Sequence, residues 1–155
     1  MTLGLLLLHA LPLDGAMWAA QRRISSCEIS TPTLYGFGER IEEWARKALE
    51  TVTAERLVVV GCSVGGSCAI EVAAIASDRV AALVLIGTKA RHHPDPALHQ
   101  RAVDMIRDQG LEEAWQVFWQ PLFSQATSRD IVERARQVLL AQDPSDVTRG
   151  IDVFH

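Results

Sequence analysis

Ser63 lies in the run Gly61-Cys62-Ser63-Val64-Gly65-Gly66, between an apolar stretch at 57–60 and an almost wholly apolar segment at 67–76. The spacing G-x-S-x-G between a strand and a helix is that of a nucleophile carried on a sharp turn. Such a turn holds its central residue in a strained backbone conformation and brings the positions two before and two after it together. Gly61 and Gly65 supply the missing side chains. The turn lifts the Ser63 hydroxyl above a sheet and aims a helix N-terminus at it, so that the Val64 N–H can donate to a developing oxyanion.

Other readings of these residues fare less well. Cys62 is flanked at the same distances by Val60 and Val64, and neither tolerates the close approach. Cys68, one turn into the helix, reads as a small buried hydrophobe. A dinucleotide cradle wants G-x-G-x-x-G and an acidic residue after the next strand; here position 63 is serine and that strand ends Ile86-Gly87-Thr88. The plain alternative is a glycine-rich turn that only closes a strand–helix joint.

A second group, His9-Ala10-Leu11-Pro12 with Trp18 beyond it, ends the first apolar run. In a doubly wound sheet, ligands bind beyond the carboxyl ends of strands, where the strand order reverses. If a weak strand near 27–30 lies on one side of the first strand and the 57–60 strand on the other, that reversal falls between His9 and Ser63. The loop after His9 then brings a second N–H, that of Leu11, to the oxyanion. His9 itself is badly placed to be a base and reads as a structural residue that holds the turn open.

The elements that must position these groups follow from hydrophobic periodicity. The runs at 5–8, 57–60 and 82–86 are continuously apolar, as in strands buried on both faces of a parallel sheet. Residues 39–53 place Ile41, Trp44, Ala45, Ala48, Leu49 and Val52 on one helical stripe. Strand alternating with helix predicts an α/β fold with right-handed crossovers. After Lys89 only helices are expected. Asp95-Pro96 opens one and Gly110 stops it, Thr127 with Asp130 suggests a capping box, and Asp143-Pro144 opens the last. That last stripe, Val147, Ile151 and Phe154, meets the chain end at His155 without a glycine cap, which reads as a C-terminal truncation.

Composition narrows the classes. A chain of 155 residues, 48% hydrophobic and 22% charged, is globular rather than disordered. Its net charge of -4 lacks the basic face that nucleic acid needs. The four-leucine run at 5–8 is far short of the roughly 20 residues of a membrane span, and no basic residue precedes it as in a signal peptide. Three scattered cysteines make neither a disulfide framework nor a zinc site, so a cytoplasmic protein without metal is expected.

Taken together the motifs resemble the N-terminal part of an α/β-hydrolase. The carriers are His9-Ala10-Leu11-Pro12 with Trp18, the turn Gly36-Phe37-Gly38, the elbow at 61–66, and the strand Arg79-Val80-Ala81-Ala82-Leu83-Val84-Leu85. The small esterase and lactonase branch, including 3-oxoadipate enol-lactonases, is nearest. The resemblance implies a parallel sheet of the α/β-hydrolase type, incomplete here, over residues 1–90, followed by a helical cap segment at 91–155, with the C-terminal core strands absent. It implies Ser63 as nucleophile, Leu11 and Val64 as oxyanion donors, and Trp18, Trp115 and Trp119 as substrate-binding residues. It implies a small ester or lactone as substrate, with no cofactor.

Two departures stand out. Ala10 replaces the family's usual glycine, and the triad's acid and histidine, which follow the cap in the order Ser, Asp/Glu, His, are missing from the chain. His92, His93, Asp95, His99 and His155 read as solvated loop or helix residues rather than replacement bases. Two functions are therefore expected: serine hydrolysis through an acyl-enzyme in a truncated form, or a non-catalytic small-molecule binding or interaction module on an incomplete hydrolase fold. The exposed edge of the 82–86 strand invites self-association.

Overall fold

The computed structural model describes residues 1–88 and 95–154; His92, His93 and His155 lie outside them. The apolar runs form four parallel strands, β1 (Leu3–Leu8), β2 (Glu28–Ser30), β3 (Arg56–Cys62) and β4 (Val80–Ile86), in the order β2-β1-β3-β4. β1 thus lies between β2 and β3, and the strand order reverses between the ends of β1 and β3 as the sequence suggests. Leu8 stands opposite Gly61 in β3, and Gly61 opposite Leu85 in β4.

Helices α1 (Ile41–Glu50) and α2 (Val64–Ile75) build the sheet core. Trp44, Ala45 and Ala48 of α1 pack with Cys68, Ala69 and Val72 of α2 against Leu6, Leu8, Leu57 and Val59. α1 is shorter than its apolar stripe, and local polar groups set both ends. The Glu43 carboxylate accepts the N–H groups of Glu39 and Arg40 ahead of the first turn. The Thr51 hydroxyl donates to the Ala48 carbonyl and closes the last.

Burial on both faces of the central strands is only partly observed. In β3, Leu57, Val59 and Gly61 are buried while Val58, Val60 and Cys62 are half-buried. β4 departs further: Leu83, Val84, Leu85 and Ile86 are each 38–45% exposed. Its composition fits a central strand, but it lies at the end of the strand order, with no strand beyond it among the described residues.

The second half is helical: α3 (Pro96–Gln109), α4 (Leu111–Ala114) running into a π-helical turn Trp115–Trp119, α5 (Arg129–Leu140) and α6 (Pro144–Phe154). Asp95 caps α3 by accepting the Leu98 N–H at 3.0 Å, and Gly110 ends it at φ +91°. The expected Thr127 cap is displaced by one residue, since Ser128 precedes the first turn of α5. The helices share their own core, with Trp115, Leu139, Val147 and Ile151 buried in it.

This layer is fastened to the first loop. Gln142 Nε2 donates to the Pro12 carbonyl at 2.8 Å, and Arg149 Nη1 donates to the Tyr35 carbonyl at 3.1 Å. Gly150 lies so close to the Tyr35 ring and the Leu11 side chain that a methyl group there would fall 2.5 Å from Tyr35 Cε1. Among the described residues no helix is long and apolar enough to cross a membrane.

Candidate active site

Ser63 is the one non-glycine residue with positive φ among those described, at φ 53°, ψ -120°. An L-residue enters that region only when its surroundings over-determine it, and here they do. Its N–H donates to the Ile86 carbonyl at 2.9 Å. Its carbonyl accepts the N–H groups of Gly66 at 2.9 Å and Ser67 at 3.2 Å, and the Thr88 hydroxyl at 3.0 Å.

Three glycines make room for the turn. A methyl group on Gly61 would strike the Gly65 carbonyl and lie 2.5 Å from Gly66 Cα. One on Gly65 would run into the carbonyls of Leu8 and His9, and one on Gly66 into the Thr88 side chain. The spacing argument anticipates the first two positions. Thr88 is the residue it misses: 25 positions along the chain from Ser63, it both fills the space over Gly66 and clamps the elbow carbonyl.

The contact of Gly65 with the end of β1 brings the loop after His9 against the elbow. Val64, as the first residue of α2, has an N–H with no carbonyl one turn earlier to receive it. Leu11 lines the same cavity as Ser63.

His9 is fully buried and holds this loop. Its Nε2 accepts the Leu34 N–H at 2.9 Å, which makes Nδ1 the protonated nitrogen, directed at the Ala10 carbonyl at 3.1 Å. The Tyr35 ring meets it edge-on at 4.9 Å, and the Tyr35 hydroxyl donates to the Leu13 carbonyl at 2.6 Å. Burial pushes the His9 pKa down to about 4, so the ring is neutral at pH 7. It is a structural residue, as expected.

Neither nearby thiol competes with the serine. Burial raises the pKa of half-buried Cys62, and burial together with Glu71 raises that of Cys68 to about 12. The reactive thiolate is absent from both at neutral pH.

Ser63 opens on a cavity of about 460 Å³, within the range of small-molecule sites. Leu11 and Ser63 form one side, and Ala102, Phe118, Trp119 and Ile151 contribute to the helical side. Of the three tryptophans expected to touch substrate, only Trp119 is brought to this wall. Trp115 is turned into the helical core, its ring 5.6 Å from that of Phe123. Trp18 is buried in the short turn Gly15–Trp18, which Asp14 caps through the Ala16 N–H.

No described histidine lines the cavity. His99 contacts Asp152 instead, Nε2 to Oδ1 2.8 Å. Among the described residues no three His, Cys, Asp or Glu side chains converge where they could hold a metal ion.

The model of the alpha/beta hydrolase fold matches residues 22–149. A thermophilic esterase from Thermogutta terrifontis, solved with malate bound, is 26% identical with a TM-score of 0.81 over 99% of this chain and 63% of its own. The enol-lactonase from Burkholderia xenovorans LB400 is 20% identical, with a TM-score of 0.83 over 99% and 65%. A bromoperoxidase from Bacillus anthracis is 19% identical, with a TM-score of 0.78 over 99% and 66%. This chain therefore spans about two thirds of the length of each, and the fold they share hosts differing chemistry. No curated protein sequence matches it. With the strained serine on its strand-to-helix turn, a parallel sheet in the order β2-β1-β3-β4 and the family match over most of its length, the chain belongs to the alpha/beta hydrolase fold family.

Proposed function

We propose that this chain carries the nucleophile and oxyanion donors of a serine hydrolase for small esters or lactones. The observation that carries the reading is Ser63, held at φ 53° on the wall of an apolar cavity. Residues 1–90 act as the catalytic layer and 91–155 as the cap. Ser63 Oγ attacks the carbonyl carbon while a histidine takes its proton. The Val64 and Leu11 N–H groups hold the oxyanion, each contributing about 2.7–4 kcal/mol to the transition state. The alcohol leaves, or stays tethered when the substrate is a lactone, and water then releases the acyl group from Ser63. No described histidine lines the cavity with Ser63, so the proton acceptor is not among the described residues of that wall. The esterase and enol-lactonase among the structural neighbours support the substrate class.

The test is p-nitrophenyl butyrate turnover by the chain and its Ser63→Ala variant. Without a base, the chain is expected to stay within roughly 10³–10⁴-fold of the reaction in water, the part that the oxyanion donors and binding supply, and Ser63→Ala to leave that part in place. Turnover well above that level that survives Ser63→Ala would rule out the nucleophile. Turnover near an ordinary enzyme rate of about 10 s⁻¹ that the variant abolishes would place a base within the chain.

The outer edge of β4, beyond which no strand lies among the described residues, supports self-association with a second copy. Size-exclusion chromatography is expected to show a species larger than a monomer, and Val84→Lys on that strand to return it to monomer. A monomeric wild-type chain defeats this expectation.

A further inference from the structure

We propose that Arg101 recognises a carboxylate on the substrate, so that the preferred ester or lactone is an anionic one bearing a second, ionised carboxyl group. This deepens the assignment of Ser63 and rests on it.

Arg101 is the one cation among the described residues that line the cavity with Ser63. Leu98 and Ala102 of α3 share that wall, so positions 98, 101 and 102 form the face of the helix turned to the site. The acids nearest in sequence are already taken. Asp104, one turn on, is bridged by Arg107 at 2.9 Å and accepts from Gln100 at 3.0 Å. Asp108 receives two bonds from Arg107, at 2.7 and 3.1 Å. Among the described residues Arg101 makes no ion pair. Its guanidinium lies over the Phe118 ring instead, 5.5 Å from the centroid, and Phe118 belongs to the same wall.

An aromatic face supports a guanidinium while leaving its N–H edge free to donate. That edge matches a carboxylate in two parallel bonds. The walls around it are mostly apolar, so a charge on the ligand is screened less than in open water. A neutral acyl chain offers the guanidinium nothing, whereas a carboxylate supplies the partner its own helix withholds.

The probes are n-butylboronic acid and 4-boronobutanoic acid, titrated against the full chain by tryptophan fluorescence, with Trp119 on the cavity wall as reporter. Each boron accepts a lone pair from Ser63 Oγ, forming a B–O bond and a tetrahedral anion as the hydroxyl proton passes to solvent. The carboxylated probe is expected to bind about tenfold tighter at low salt, the lower end for a charged hydrogen bond at an exposed site. That ratio is expected to fall to about one in Arg101→Gln, to be partly kept in Arg101→Lys, and to shrink at 0.5 M salt. Equal binding of the two probes by the wild-type chain, or a ratio that persists in Arg101→Gln, overturns the inference while leaving Ser63 standing. Failure of butylboronic acid to bind, or binding unchanged in Ser63→Ala, instead removes the nucleophile and the inference with it.

Discussion

Gly65→Ala is expected to destabilise the chain by about 3 kcal/mol or more, at the upper end of the cost of overpacking, because its methyl group meets backbone rather than a side chain able to rotate away. The obstructing carbonyls belong to Leu8 and His9 at the end of β1, and β1 is bonded on both sides within the sheet. Relief would require parting β1 from the elbow, which would also displace the loop bearing Leu11. Gly36→Ala is the control: nothing lies within 4 Å of its added methyl group, and a change within about 1 kcal/mol is expected. Urea unfolding of the three proteins measures the contrast. A Gly65→Ala chain as stable as wild type would mean that the elbow does not press on β1.

The second large effect belongs to His9. Its pKa in the folded chain is about 4 against an ordinary value of 6.5, because burial disfavours the charged ring. A group depressed in this way contributes its stability fully above pH 6.5 and loses it as pH falls towards 4. Linkage puts the loss at about 3 kcal/mol by pH 4. Urea melts at pH 7.5 and 4.0 should show it, superimposed on the acid sensitivity of the carboxylates. His9→Ala is expected to be less stable at pH 7.5, since the buried Leu34 N–H loses its acceptor, and to show a shallower decline between pH 6.5 and 4. An equally steep decline in the variant would assign the acid loss elsewhere.

These cases also show what could be read from sequence. Steric demand is local around Ser63, so the glycine spacing announced the elbow, and strand–helix alternation announced a parallel α/β sheet. The Thr88 clamp was not legible, because a hydroxyl 25 residues from its acceptor leaves no periodic trace. Nor was the exposure of β4, whose composition is that of an interior strand although its position is at the rim. Trp115 and Trp119 illustrate a third limit. Residues four apart share a face in an α-helix, but here the Gln120 N–H reaches back five residues to the Trp115 carbonyl. Both rings join the helical core, and only Trp119 also reaches the cavity wall. Arg101 escaped notice because a charge on an amphipathic helix reads as solvated until its neighbours are seen to be engaged with one another.

The bonds from Gln142 and Arg149, with Gly150 seated on Leu11 and Tyr35, bear on how a molecule could be admitted. Swinging α6 outward would drag Leu11 with it and disarm an amide assigned to the reaction. In the proposed mechanism that side of the cavity therefore stays shut while substrate is turned over. In the same mechanism, passage falls to another part of the cavity wall, where Leu122 is already 77% exposed.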